Sequence, residues 1–289
     1  MNTRTGAALS ETPRTTVSTD LCADRVTIGY DKRIISTDLS VRIPPGSFTV
    51  IIGPNACGKS TLLRALSRLL TPREGTVLLD GKEISRYQAK AVARRIGLLP
   101  QSSISPDGIT VADLVGRGRF PHQKLLRQWS KSDEIAVADA LEATHLTELS
   151  SRPVDELSGG QRQRVWVAMA LAQQTPLLLL DEPTTFLDIA HQIELMELFS
   201  ALHNDGHTLV AVLHDLNHAA RYATHLIAMK DGRIVAEGPP EQVVTVQTVS
   251  EVFGIDSVVI DDPITGGPLV VPYKSTGPLR RSTSADVSG

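Results

Sequence analysis

The sequence has little cysteine, no marked excess of either charge and no long apolar run. Only two of its 289 residues are cysteines, Cys22 and Cys57. That count excludes a small disulfide-stapled secreted scaffold and fits a reducing, cytoplasmic setting. The formal net charge of −3 offers nucleic acid no bulk electrostatic partner. No stretch approaches the ~20 apolar residues that a membrane-spanning helix needs, so the chain is not expected to cross a bilayer itself. Residues 1–20 are rich in Ser and Thr and lack the apolar segment of a secretory signal; they and residues 275–289 are expected to be disordered tails. Between them lies neither a repeat nor a second phosphate loop. A composition of 41% hydrophobic and 21% charged residues suits one substantial α/β domain with a smaller lobe.

The most informative stretch is Gly53-Pro54-Asn55-Ala56-Cys57-Gly58-Lys59-Ser60-Thr61. It reads G-x-x-x-x-G-K-S between an apolar run, Phe48 to Ile52, and a leucine-rich stretch with helical spacing. In such a loop backbone N–H groups surround phosphate oxygens, Lys59 places its ammonium on the β/γ-phosphates, and Ser60 ligates Mg²⁺. Leu62, Leu63, Leu66, Leu69 and Leu70 form the stripe of a following helix, whose N-terminus adds positive potential beneath the phosphates. A disulfide from Cys57 to Cys22 would conflict with nucleotide access. Cys57 is open to two readings, a thiol sensitive to reagents or a small buried hydrophobe.

Further along, strands alternate with helices. Strands are expected at Val26–Tyr30, Ile34–Ile43, Thr76–Leu79 (closed by the Asp80-Gly81 turn), Ile96–Leu99, Leu177–Leu180 and Thr208–Leu213, and helices at Gly160–Gln173 and Ile189–His203, with one more helix and one more strand after Leu213. This order implies a parallel sheet with right-handed crossovers. A mostly helical region from about Thr110 to Leu149 interrupts it as an insertion.

The Leu177–Leu180 run ends in Asp181-Glu182, which places two carboxylates at the C-terminal edge of the sheet, where α/β folds bind ligands. Asp181 is the candidate Mg²⁺ partner, and Glu182 is the candidate base that orients an attacking water. In Leu157-Ser158-Gly159-Gly160-Gln161, Ser158 and Gln161 make a capping box, and the two glycines let backbone approach an anion. Nothing local says whose anion that is. His214 and His218 stand four apart, but no carboxylate at zinc-motif spacing accompanies them, and His214 directly after an apolar strand favours a γ-phosphate contact. The other six histidines read as structural or exposed.

Together these landmarks resemble the nucleotide-binding subunits of ATP-binding cassette transporters over about Arg25 to Pro239. The resemblance implies a P-loop NTPase fold with a RecA-like parallel core, an antiparallel β subdomain and a helical subdomain at about 102–175, within a domain spanning 21–274. It makes Tyr30 the adenine-stacking aromatic, Gly53 to Thr61 the Walker A loop, and Gln101 the loop glutamine joining Mg²⁺ and water to the helical lobe. Leu157 to Gln161 match the family signature, Asp181 and Glu182 the Walker B pair, Asp188 the dimer-contacting aspartate and His214 the switch histidine. It also answers whose anion the signature binds: two copies pack head to tail, and Ser158, Gly159 and Gly160 of one close on the ATP of the other. Ala56 departs from the glycine common in the family and tolerates a positive φ poorly.

Gly116 to Gln123, Arg127-Gln128-Trp129, His214 to Tyr222 and Asp261 through Pro272 further resemble the ATPases of iron–siderophore importers. Such subunits work at the cytoplasmic membrane face with two permease subunits and a siderophore-binding protein. A permease helix is then expected to enter a groove near Ser102 to Trp129, although Phe120 and Trp129 also read as lobe core. Vitamin B12 and haem importers share most of this pattern. A soluble cassette acting on DNA or ribosomes would usually carry paired cassettes, coiled-coil insertions or basic surfaces, and a non-hydrolysing sensor would lack Glu182 or His214.

Overall fold

The computed structural model describes residues 19–101, 105–123, 129–185 and 187–274. Most of both expected tails, together with Ser102, Arg127 and Gln128, lies outside the described residues. The first tail was expected to reach residue 20. Instead Thr19 is buried and the Asp20 N–H donates to Asp80 Oδ1 at 3.0 Å, so packing begins at least two residues earlier.

The chain opens with an antiparallel pair, β1 (Leu21–Tyr30) and β2 (Arg33–Ile43). Next come β3 (Phe48–Ile52), wholly buried, and the phosphate loop leading into α1 (Lys59–Leu66). Helix α1 is shorter than its leucine stripe. Arg68 takes φ 65°, a left-handed conformation that ends a helix, and Leu69 is left 64% exposed. Hairpin β4 (Glu74–Leu79) and β5 (Lys82–Glu83) turns at Asp80-Gly81, as the dipeptide predicts. Then follow α2 (Ala89–Ala93) and β6 (Ile96–Leu99).

The helical lobe contains α3 (Val111–Gly116), α4 (Lys131–Ala143) and α5 (Gly159–Ala172). Its core joins Val111, Leu114, Val137, Leu141, Val165 and Ala168. Arg119 stitches the lobe from inside, donating to Asp133 Oδ1 at 2.8 Å and to the Ala172 carbonyl at 2.7 Å. The chain returns through β7 (Leu177–Asp181), α6 (Ile189–Asn204), β8 (Thr208–Val212), α7 (Leu216–Tyr222), β9 (His225–Lys230) and β10 (Arg233–Gly238). It finishes with α8 (Pro240–Val243), α9 (Val246–Phe253) and a hairpin of β11 (Asp256–Asp261) and β12 (Pro268–Tyr273).

The central sheet runs β10-β9-β3-β8-β7-β6, parallel from β9 to β6, with β10 as an antiparallel edge. The antiparallel sheet β2-β1-β4-β5 covers one side. Strand β7 shows why its leucine run is continuous. Leu177 and Leu179 pack in the core shared with the antiparallel sheet, while Leu178 and Leu180 pack in the core beneath α6 and α7. A strand covered on both faces has no polar side. Strands β3, β7 and β8 therefore end side by side, and their C-terminal edge is where the candidate residues converge.

Candidate active site

The turn from β3 into α1 needs its glycines. Gly53 has φ 150°, and a Cβ there would lie 2.2 Å from the Met229 carbonyl oxygen of neighbouring β9. Gly58 caps α1 at φ 112°. Ala56 sits at φ 61°, the left-handed conformation that its sequence position raised as a concern, at a cost of about 1–2 kcal/mol for an L-residue. Lys59 is buried, and its Nζ donates to the carbonyls of Gly53 and Pro54 at 2.8 and 2.9 Å. Cys57 is 4% exposed inside the core, and burial pushes its thiol above the usual range. Of its two readings the buried hydrophobe is the one seen, and Cys22 is also free.

At the end of β7 the two carboxylates diverge. Asp181 accepts a 2.7 Å hydrogen bond from Ser60 Oγ at the start of α1. Burial raises its pKa, opposed by the Ser60 hydrogen bond and reinforced by the charge of Glu182. Glu182 adopts φ 53°, which turns the chain sharply as it leaves the sheet. Its Oε1 lies 2.8 Å from His214 Nε2, delivered from the end of the adjacent strand β8. His218 points elsewhere, its ring edge-on to Tyr222 at 6.3 Å, so the two histidines do not converge as a zinc pair.

Tyr30, Asn55, Ala56, Gly58, Lys59, Ser60, Thr61, Gln101, Glu182 and His214 all border one cavity of about 450 Å³. Three residues there escaped the sequence reading. Arg33 and Ile35 border the same cavity, and Arg33 is the cross-strand partner of Tyr30. Arg64 donates from Nη1 to the Tyr30 hydroxyl at 3.0 Å. The strand alternation around Tyr30 could have flagged Arg33. Arg64 was hidden because it lies on the exposed side of α1, opposite the leucine stripe.

The signature residues stand apart from this cavity. Ser158 caps α5 by accepting from the Gln161 N–H at 3.2 Å, and the Gln161 side chain accepts from the Ser158 N–H at 3.0 Å. Leu157 is buried and anchors the turn, whereas Ser158 and Gly159 are exposed and nothing lies within 4 Å of a Cβ built on Gly159. Asp188 likewise faces outward as the cap of α6, bonded to the His191 N–H at 3.0 Å. One contact ties the signature helix to the carboxylates: Gln163 Nε2 donates to the Pro183 carbonyl at 3.0 Å. The lobe also presents an open groove of about 680 Å³ between Gly116, Phe120, Gln123 and Trp129. Phe120 and Trp129 are 63% and 46% exposed, so neither is lobe core.

A phosphate loop on a parallel core, two carboxylates on the next strand but one, and an inserted lobe with a glycine-rich helix start define a nucleotide-hydrolysing cassette. The chain belongs to the ABC transporter family, which it matches over residues 36–185. It is thus an ATP-binding, ATP-hydrolysing cassette. It is 56% identical over 259 residues to the ferric enterobactin transport ATP-binding protein FepC of Escherichia coli, covering 89% of this chain and 96% of that protein. It is 51% identical to the probable siderophore transport system ATP-binding protein YusV of Bacillus subtilis, over 88% of this chain and 92% of the relative. Among solved structures, the ATP-binding cassette MJ0796, a dimer in a post-hydrolysis state bound to ADP and Pi, superposes with a TM-score of 0.69 at 28% identity. That match covers 76% of this chain and 98% of the other.

Proposed function

We propose that this cassette is the energising subunit of an importer that carries a ferric siderophore inward through separate permease subunits. The observation that carries the reading is the split of the site. Lys59, Ser60, Glu182 and His214 border one cavity, whereas the helix start Ser158-Gly159-Gly160, exposed at Ser158 and Gly159, and the exposed Asp188 stand outside it. A helix start with free backbone N–H groups is an anion site. In a head-to-tail pair of copies it would meet the γ-phosphate held by the partner. ATP, bridging both surfaces, then favours the closed pair, and ADP does not.

Within one copy the geometry supports the following roles. Lys59 exchanges its two loop carbonyls for phosphate oxygens, keeping its ammonium hydrogen-bonded throughout. Glu182 orients the attacking water and accepts its proton, while His214 holds the carboxylate in place. Tyr30 supplies a face for the adenine, steadied by Arg64. Ser60 Oγ and Asp181 are hard oxygen donors already in contact, a set that fits Mg²⁺, with Gln101 as a further ligand from the cavity rim. When bound, Mg²⁺ neutralises charge on the β- and γ-phosphate oxygens.

The groove beside Phe120 and Trp129 would receive a cytoplasmic permease helix, and this would hold the cassette at the membrane's inner face. Arg94, which follows α2, and Lys90 of α2 brace its wall, donating to the Pro121 and Gln123 carbonyls at 2.9 and 3.1 Å. The similarity to FepC and YusV supports a siderophore as the cargo. A haem importer is the second reading, favoured by 36% identity to the hemin import protein HmuV of Rhodococcus jostii. The test is uptake of radiolabelled iron as individual ferric siderophores or as haem, with labelled vitamin B12 alongside, in cells lacking the chain and complemented with it or with Glu182→Gln. Loss of one siderophore's uptake, restored only by the unaltered chain, supports the reading; loss confined to haem or vitamin B12 uptake, or no loss at all, overturns it.

A further inference from the structure

Helix α7 begins immediately after the switch segment. Asp215, the residue following His214, caps it by accepting the N–H groups of Asn217 and His218, each at 2.8 Å. The helix has seven residues, too few to be stable alone. Two of its side chains, one turn apart, reach the C-terminal hairpin. Asn217 forms a closed pair with Val270 of β12, accepting its N–H at 2.8 Å and donating to its carbonyl at 3.2 Å. Arg221 donates from Nε and Nη2 to Asp262 Oδ2 at 3.0 and 2.7 Å. The other Asp262 oxygen accepts the Ile264 N–H at 3.0 Å, and the Asp262 side chain is only 5% exposed. Four hydrogen bonds thus tie a short helix to a hairpin.

The hairpin packs on α7 through β12 and on α9 through β11. On its outer face Val258, Ile260 and Val271 are 41%, 48% and 41% exposed, and an isolated two-stranded hairpin is marginal in water. Val270 is its buried anchor, opposite α7. The four hydrogen bonds thus add a polar clamp to the apolar packing of α7, and the N-terminal end of that helix is the cap adjoining His214. We propose that the C-terminal hairpin is a brace for the switch histidine, with Asn217 and Arg221 as positioning residues that keep His214 on Glu182. The inference rests on the reading of Glu182 and His214 as the hydrolytic pair.

The test measures ATP turnover per folded chain, and ATP affinity by equilibrium binding, for full-length Asn217→Leu, Arg221→Met, Arg221→Lys and Asp262→Asn. Circular dichroism fixes a temperature at which each is folded. The milder Asp262→Asn keeps the side chain's shape and its bond from Ile264 while removing the charge that Arg221 faces, so it serves if Arg221→Met does not fold. Turnover should fall about 2- to 30-fold with ATP affinity unchanged, and Arg221→Lys should recover part of the loss. A purely structural role leaves turnover per folded chain unmoved, and that outcome, or an equal fall in ATP affinity, overturns the brace. His214→Ala is measured beside them. Normal turnover in that variant sinks the hydrolytic pair itself, whereas an impaired His214→Ala with normal Arg221→Met and Asp262→Asn sinks only the brace.

Discussion

Glu182 and His214 meet at 2.8 Å although they lie 32 positions apart in sequence, because β7 and β8 are adjacent parallel strands that end at the same level. The carboxylate is 12% exposed and the imidazole 47%, so the pair is sheltered on the Glu182 side and open toward the cavity. The left-handed turn at Glu182, an unfavourable backbone for a non-glycine residue, is what separates it from Asp181 and gives the two carboxylates different partners. One is joined to the phosphate-loop helix and the other to His214.

Lys59 offers the simplest test of the phosphate loop. Lys59→Ala removes a buried ammonium whose charge-assisted contact to phosphate is worth on the order of 2–4 kcal/mol. Equilibrium binding of ATP should weaken by about 30- to 1,000-fold by that arithmetic. Unchanged affinity would show that the loop does not hold the phosphates.

Arg64 tests the adenine platform. Its hydrogen bond to the Tyr30 hydroxyl links the phosphate-loop helix to the antiparallel sheet. An exposed hydrogen bond of this kind contributes about 0.5–1.5 kcal/mol, so Arg64→Met should raise the KM for ATP by about 2- to 10-fold. The maximal rate should hold. A fall in maximal rate at constant KM would assign Arg64 to the chemistry instead.

How much of this could be read beforehand depended on the kind of constraint. The phosphate loop was legible because Gly53 and Gly58 occupy backbone conformations that few other residues tolerate, so geometry is written directly into residue type. The leucine run of β7 was legible because burial on both faces dictates composition. Glu182's turn was not, since its left-handed φ is imposed by tertiary context on a residue that does not prefer it. The Ala56 conformation was anticipated only from its place in the loop. The pairings of Arg64 with Tyr30, and of Asn217 and Arg221 with the C-terminal hairpin, join residues 34, 53 and 41 positions apart that share no local pattern. The helix after β8 was legible from the order of elements, though without bounds, and the hairpin β11–β12 carries too few residues for periodicity to announce it.

Asp262 gives a pH dependence with a definite sign. The Ile264 N–H, and then the Arg221 guanidinium, hold its carboxyl below the 3.8 of a free aspartate. The folded chain therefore binds this proton less readily than the unfolded chain does. Its stabilising contribution is present above pH 3.8 and is lost as the pH falls through the lower folded-state value. Thermal denaturation should show Asp262→Asn melting below the unaltered protein at neutral pH, with the gap closing in acid. A gap independent of pH would contradict the pairing.

The most direct test of the account as a whole is the oligomeric state of Glu182→Gln with and without ATP, followed by sedimentation alongside ATP turnover. Glutamine keeps the size and hydrogen-bonding reach of the side chain but cannot accept the proton of the attacking water. The account predicts that the variant binds ATP, fails to turn it over and accumulates as an ATP-bridged dimer that ADP does not support. Turnover at the normal rate, or a chain that stays monomeric when saturated with ATP, would contradict it.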